Sequence, residues 1–319
     1  MKNQMEYDLE NPLTLSLKEY KNDIIPRLFA SESDHMPSRN LLQCLKSCDL
    51  YVSFRQEAIS LILQAQYSCN YHPSVPYLAV NYLDRFISRQ EIPQGKPWVL
   101  RLLVISCLSL AAKMMNRHFP VSDFQASCYE GFIFDTRSIS RMELLILDGL
   151  DWRMRSITPF SFLCFFISLL QLQDQKARGT LKDRATEMIF KAQNEIKLLE
   201  FKPSIIAASS LLVACHELFP FQFPSFKCSI SSCQFVRKKL QKCYNALQEM
   251  LEMESLESMV ESTSSARTPQ SVLERHYWTK SESRETTTTT SLTNINTICA
   301  DQQYHHQQIK RRKLNGCPS

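Results

Sequence analysis

Apolar residues recur at helical spacing almost without a break between Arg55 and Trp152. In residues 55–67 they fall at 58, 59, 61, 62, 63 and 65, which predicts a helix with one broad apolar face. Ser74 stands where an N-cap belongs, and Pro76 is tolerated in a first helical turn. The stripe Leu78, Val80, Tyr82, Leu83, Phe86 and Ile87 then predicts a second helix. Residues 98–115 are different: their only charges are Arg101 and Lys113, and apolar side chains occupy every face. A helix apolar all round must be enclosed by other helices, and the small residues Ser106, Ser109, Ala111 and Ala112 let those neighbours come close. A short helix beginning at Pro120-Val121 and another from about 136 to 147, stopped by Asp148-Gly149, complete a five-helix bundle around it.

The pattern then starts again. Thr158-Pro159 reads as an N-cap followed by proline at the first helical position, ahead of Phe160, Phe162, Leu163, Phe165 and Phe166. Helices follow at about 181–199, 204–217 and 233–253, divided by Lys202-Pro203 and by the proline-containing stretch 219–224. Residues 205–215, rich in alanine and serine, repeat the style of 98–115, which suggests two successive bundles built alike. Residues 1–50 are poorly periodic, with a short helix expected around 15–29. Beyond about 254, serine, threonine and glutamate dominate and Thr286 to Thr290 is a homopolymer. Such a segment cannot bury enough surface to offset its ordering entropy. The chain is therefore expected to be all-α: a flexible arm (1–20), two bundles (21–153 and 154–254) and a disordered tail (255–319).

Composition narrows the chemistry. Five glycines in 319 residues are few for an enzyme of phosphate-cradling loops, and neither GxGxxG nor GxxxxGK[ST] occurs. The twelve cysteines form no CxxC pair, and Cys107, Cys164 and Cys215 sit in apolar stretches where a thiol acts as a small hydrophobe. No metal site is predicted. The first 22 residues are polar and acidic, unlike a secretory leader, so a reducing compartment is expected. The net charge of +5 includes eight basic and seven acidic residues after 253, which leaves the body near +4, little for a nucleic-acid surface. No Ser/His/Asp or Cys/His grouping stands out, so no catalytic residue is assigned.

Four strings stand in a telling order: Arg55-Gln-Glu-Ala-Ile, Tyr77-Leu-Ala-Val-Asn-Tyr-Leu-Asp84-Arg85-Phe86, Cys107-Leu-Ser-Leu-Ala-Ala-Lys113-Met and Arg141-Met-Glu143-Leu-Leu. Their order and spacing resemble the cyclin box. Trp152-Arg-Met-Arg, Thr158-Pro-Phe-Ser-Phe, Glu200-Phe-Lys-Pro-Ser and the string at Thr268-Pro269 look like the D-type cyclins of plants, and the resemblance covers about residues 20–275. It implies two tandem cyclin boxes and no enzymatic activity or cofactor. It implies a heterodimer with a cyclin-dependent kinase, with kinase inhibitors and phosphorylation substrates as further partners and no nucleic acid or membrane. In the family the residues matching Lys113 and Glu143 bind the kinase's regulatory helix; those matching Arg55 and Asp84 form an internal ion pair. A lysine on a helix C-terminus and a glutamate in a surface ion pair are the plainer readings of the first two residues taken alone.

The chain also departs from the family. Members commonly carry tryptophan where Leu61 stands, in a substrate-docking groove that would here involve Phe54, Ala58 and Leu61. Leucine keeps an apolar surface but loses the flat indole wall. The Leu-x-Cys-x-Glu motif by which plant D-type cyclins bind retinoblastoma-type proteins is missing: Leu42-Gln-Cys44-Leu-Lys46 ends on the wrong charge, and Val213-Ala-Cys215-His-Glu217 lies in a helix expected to be buried. That absence and the short N-terminal arm resemble the divergent class-six members. Thr268-Pro269 reads as a phosphoacceptor for a proline-directed kinase or as plain linker, and Lys310-Arg311-Arg312-Lys313 as a nuclear import signal or a solvated terminus. The expected location is the nucleus, with a cytoplasmic pool. Two other readings share the fold: an adaptor that binds a kinase or another partner without activating it, and a DNA-gripping initiation factor, which would need a zinc ribbon and a basic stripe.

Overall fold

Among the residues that the structure, a computed structural model, describes (24–90, 93, 96–128 and 133–264), every regular element is a helix. They run α1 (Ile24–Ser31), a 3-10 turn (Glu32–His35), α2 (Arg39–Ser47), α3 (Asp49–Cys69), α4 (Ser74–Ile87), α5 (Pro97–Met114), α6 (Val121–Cys128) and α7 (Thr136–Gly149). The second half holds α8 (Phe160–Leu169), α9 (Gln175–Ala192), a 3-10 turn (Ile196–Glu200), α10 (Pro203–Leu218), α11 (Phe223–Ser231) and α12 (Arg237–Ser264).

Each half is built around one buried helix. Every side chain of α5 from Leu102 to Ala112 is buried, and α3, α4 and α7 pack against it. Every side chain of α10 from Pro203 to Cys215 is buried likewise, enclosed by α8, α9 and α11. Two of the serines on these helices have partners: Ser106 Oγ donates to the Leu102 carbonyl one turn back at 2.8 Å, and Ser209 Oγ to that of Leu240 on α12 at 3.3 Å. By length and composition α5 could cross a membrane, but its side chains are enclosed by protein. Cys107 and Cys215 lie in the two cores with free thiols, whereas Cys164 is only half-buried.

The ends of several elements differ from the sequence expectation. Ser74 does not cap α4; the helix begins there, and the Ser74 hydroxyl bonds His72 Nδ1 instead. Thr158 does not cap α8 either: the bond runs the other way, from the Thr158 N–H to Ser161 Oγ at 3.2 Å. Gly149 does not stop α7, which runs through it, and the left-handed residues are Asp151 and Trp152. What glycine at 149 allows is close approach, because a Cβ there would sit 3.0 Å from the Phe86 ring, which would have to shift. The stretch 219–224 contains the start of a further helix, α11, with Pro224 in its first turn. Helix α9 starts six residues before the expected 181, with the Asp174 carboxylate capping it from the Lys176 N–H. The last helix continues to Ser264, past the boundary drawn at 254.

The N-terminal segment crosses between the halves. The side chains of Ile24, Ile25, Leu28 and Phe29 on α1 belong to the core of the second bundle, although sequence counts them with the first. Phe29 stacks on Phe235 at 4.2 Å and tilts against Phe162 at 4.9 Å. Three residues on, buried Glu32 accepts from the Ser204 N–H at 2.8 Å and from Ser204 Oγ at 3.0 Å, capping the N-terminus of α10 from another part of the chain. Burial raises the Glu32 carboxyl above its usual range, against the opposing pull of Ser204 and Lys202.

Candidate partner-docking groove

Where α5 stops decides where Lys113 stands. Asn116 adopts the left-handed conformation at φ 50°, and two bonds close the end: Arg117 N–H to the Ala112 carbonyl at 2.8 Å and Asn116 N–H to that of Lys113 at 3.2 Å. This paired closure is the usual left-handed helix stop, which asparagine tolerates better than most residues. It leaves Lys113 on the last turn of a helix whose preceding residues are wholly buried, with 61% of its side chain exposed.

Helix α7 brings the partner. Its start is set by Asp135, whose carboxylate accepts from the Ser138 N–H at 2.7 Å; hydrogen bonding from the Ser138 side chain first, and then from its N–H, lowers the Asp135 pKa. The backbone just before it is held by Gln125 of α6, which is buried, accepts from the Phe134 N–H at 2.7 Å and donates to its carbonyl at 3.3 Å. Two turns into α7, Glu143 meets Lys113: Nζ lies 2.7 Å from both carboxylate oxygens. The two exposures are unequal, since only 11% of the Glu143 side chain is accessible. Sequence separation of 30 residues is thus closed into one ion pair by the packing of α7 on α5.

The pair borders an open groove of about 660 Å³ between the end of α5, α6 and the start of α7. Its lining is apolar at Ala112, Phe119, Val121 and Ile139, and Ile133 stands 81% exposed at its edge. An ammonium has three donors, of which two face Glu143, so one remains for an acceptor from outside. An apolar trough with a fixed charge pair suits an amphipathic helix, whose backbone ends the charges can engage.

The second predicted pair is also formed, and it does more than join two helices. Arg55 and Asp84 are almost completely buried and meet as a fork, Nε to Oδ1 at 2.9 Å and Nη2 to Oδ2 at 3.0 Å. Arg55 Nη2 also donates to the Gln193 carbonyl at 2.7 Å, and Nη1 reaches that of Asn194 at 3.5 Å. Gln193 answers by donating to the Tyr77 carbonyl at 2.8 Å. One guanidinium therefore ties α3 and α4 to the end of α9, in the other bundle. Nothing in the order of residues marked Gln193 or Asn194, whose backbone carbonyls meet Arg55.

Of the three residues expected in a substrate-docking groove, Phe54 and Leu61 are half-buried on α3, but Ala58 has no exposure. Any ligand there meets Phe54 and Leu61 and never touches Ala58. Thr268 and Lys310, Arg311, Arg312 and Lys313 lie outside the described residues, as do the arm 1–20 and most of the tail. Among the described residues no cluster of histidine, cysteine or carboxylate side chains could hold a metal ion.

Comparison with known proteins adds to this geometry. Residues 23–155 match the family described as cyclin, N-terminal domain, and residues 157–277 that described as cyclin, C-terminal domain. The chain is 47% identical over 257 residues to an Arabidopsis thaliana protein named cyclin-D6-1, covering 77% of this chain and 83% of that one. It is 36% identical over 297 residues to cyclin-D6-1 of Oryza sativa subsp. japonica, covering 91% and 88%. Cyclin-D4-1 of Arabidopsis thaliana is 34% identical over 276 residues, with 83% and 85% covered. Among solved structures, a viral cyclin from herpesvirus saimiri superposes with a TM-score of 0.55 at 20% identity, covering 71% of this chain and 97% of that one, a likeness of fold.

Proposed function

Since the chain belongs to the cyclin family, with plant D-type cyclins as its relatives, we propose that it binds and activates a cyclin-dependent serine/threonine kinase through the groove of Lys113 and Glu143. As a cyclin it is a regulatory subunit and not itself an enzyme. The observation that carries the reading is the ion pair at 2.7 Å on the rim of an apolar trough, with Lys113 left largely exposed. In this reading the kinase's regulatory helix lies in the groove, Lys113 donates to a carbonyl at one end of it, and Glu143 accepts from an N–H group. Seating that helix closes the kinase's own lysine–glutamate pair, on which phosphoryl transfer depends. The biological setting proposed is entry into DNA synthesis and cell division, in the nucleus, reached through Lys310 to Lys313.

The test is co-purification of the full chain with a plant cyclin-dependent kinase, followed by phosphorylation of a histone substrate. The exchange Lys113→Glu with Glu143→Lys keeps an ion pair in the free protein but inverts the charges a partner meets. Binding is expected to fall by at least about 30-fold, the scale for losing a buried interfacial charge contact, with melting temperature and helicity nearly unchanged. Retained binding would move the interface elsewhere. A complex without activity would favour an adaptor, a reading kept in view by leucine at position 61.

A further inference from the structure

A second concave surface shares no residue with the first groove. It is an open cleft of about 1000 Å³, walled by residues 33–43, by the end of α4 with Arg153, and by Glu200, Lys202 and Lys239 of the second bundle. Six cations line it (Arg39, Arg85, Arg89, Arg153, Lys202 and Lys239) against two carboxylates, Asp34 and Glu200. The carboxylates are weak competitors for an incoming anion. Glu200 already accepts from Lys46, and Asp34 is a loose 3.7 Å from Arg153, with both side chains more than half exposed. Arg89 pairs with Asp151 at 2.6 Å on the open surface, and Lys202 reaches buried Glu32 at 3.5 Å.

Arg85 is the unusual member. It is 2% exposed, and among the described residues no carboxylate forms an ion pair with it. The neighbouring Asp84 cannot serve, because both its oxygens are taken by Arg55. Arg85 Nη1 donates to Ser156 Oγ at 2.9 Å, but Nη2 is buried with no hydrogen-bond partner. Burial, with Arg89 and Arg153 adding charge of the same sign and against the opposing pull of Tyr82 and Asp151, pushes the Arg85 guanidinium down to about 10. A buried cation with like-charged neighbours destabilises the free protein, and an anion arriving in the cleft would offset that charge.

We propose that this cleft binds a phosphorylated segment of a protein partner, with the phosphate held by the exposed guanidinium groups of Arg89 and Arg153 above the buried charge of Arg85. Phosphate fits better than carboxylate: its two negative charges and three acceptor oxygens match a cluster of guanidinium forks, where one carboxylate satisfies only one. The cleft is far larger than a free phosphate and carries the apolar surfaces of Met36, Pro37 and Leu42 beside its cations, so a peptide strand has side-chain contacts there as well. The wall itself is extended at Met36 and Ser38, with ψ of 156° and 158°. This inference does not depend on kinase binding, since none of these residues borders the Lys113 groove.

The experiment is fluorescence anisotropy of the full-length protein with a labelled peptide library bearing a central phosphothreonine and degenerate flanks, beside its threonine counterpart, at about 150 mM salt. The phosphorylated library is expected to bind at least about tenfold tighter, and the surface exchange Arg89→Gln with Arg153→Gln to remove about that factor at unchanged helicity. Equal binding of the two libraries, or binding indifferent to the surface exchange, would overturn the proposal. So would competition by inorganic phosphate at concentrations as low as the peptide's, which would make this a free-anion site. Stronger binding to vesicles containing phosphatidylserine would make it a membrane contact and overturn it equally.

Discussion

Arg55 and His35 show how much a single side chain can owe to atoms far off in the chain. Arg55 makes two bonds to Asp84 and two contacts to carbonyls of the other bundle. Arg55→Ala leaves the Asp84 carboxylate buried and uncompensated, so unfolding by urea should show a loss of about 3–5 kcal/mol. A cost below about 1 kcal/mol would mean that the pair is dispensable. His35 lies beside Asn81, which donates to its carbonyl at 2.9 Å, and its own Nδ1 is buried without a partner. Burial first, and then the charges of Arg85 and Arg153, against Asp34, lower its pKa from the ordinary 6.5 to about 4. A base depressed in the folded state contributes stability that is complete above about 6.5 and is lost as pH falls through about 4. The native protein should therefore lose up to about 3 kcal/mol more than His35→Gln between pH 7 and 4. Parallel loss in the two proteins, followed by melting temperature, would remove His35 as the cause.

At the scale of one helix, α5 carries the clearest message in the chain. Its even apolar coverage foretold enclosure, and its alanines and serines foretold close neighbours; both hold, with Ala111 and Ala112 fully buried. Ala111→Leu inserts three carbons where no gap exists and is expected to cost about 1–3 kcal/mol, read as a lowered denaturation midpoint. A neutral result would reveal space that the packing does not show. Helix ends were less readable. Ser74 and Thr158 have the residue type of a cap but not the geometry, because the adjacent prolines Pro73 and Pro159 take the cap position themselves. Gly149 looked like a stop signal and is instead a point of contact with Phe86. In these cases local preference was overridden by what the neighbouring helix needed.

For the molecule as a whole, the N-terminal helix matters out of proportion to its eight residues. It fills the second core with Ile24, Ile25, Leu28 and Phe29, and Glu32 then caps α10. A chain beginning at Glu32 would uncover Phe162, which is fully buried, and remove the buried side chains of Leu28 and Phe29, each large apolar side chain lost from burial costing about 1.5–3 kcal/mol. The expected outcome is a lower melting temperature with binding of a hydrophobic dye, and a chain that melts as the full protein does would show α1 to be an ornament on the second bundle. Together with Arg55, the pair Lys46–Glu200 and the Gln193–Tyr77 bond, this segment joins two bundles that otherwise have separate cores.

By itself the sequence determined the helical class, the two buried central helices and the residues of two charge pairs, Lys113 with Glu143 and Arg55 with Asp84. Those follow from periodicity, from the rule that an all-apolar helix must be enclosed, and from the resemblance that four ordered strings carry. Only the tertiary structure decided that α1 serves the second core, that Arg55 grips backbone carbonyls of α9, that Ala58 is sealed from any ligand, and that Arg85 lies buried under a cleft of positive charge. The physical reason is common to all four. Periodicity reports which face of a helix is buried but not against what, and backbone carbonyls and unpaired nitrogens have no signature in the order of side chains.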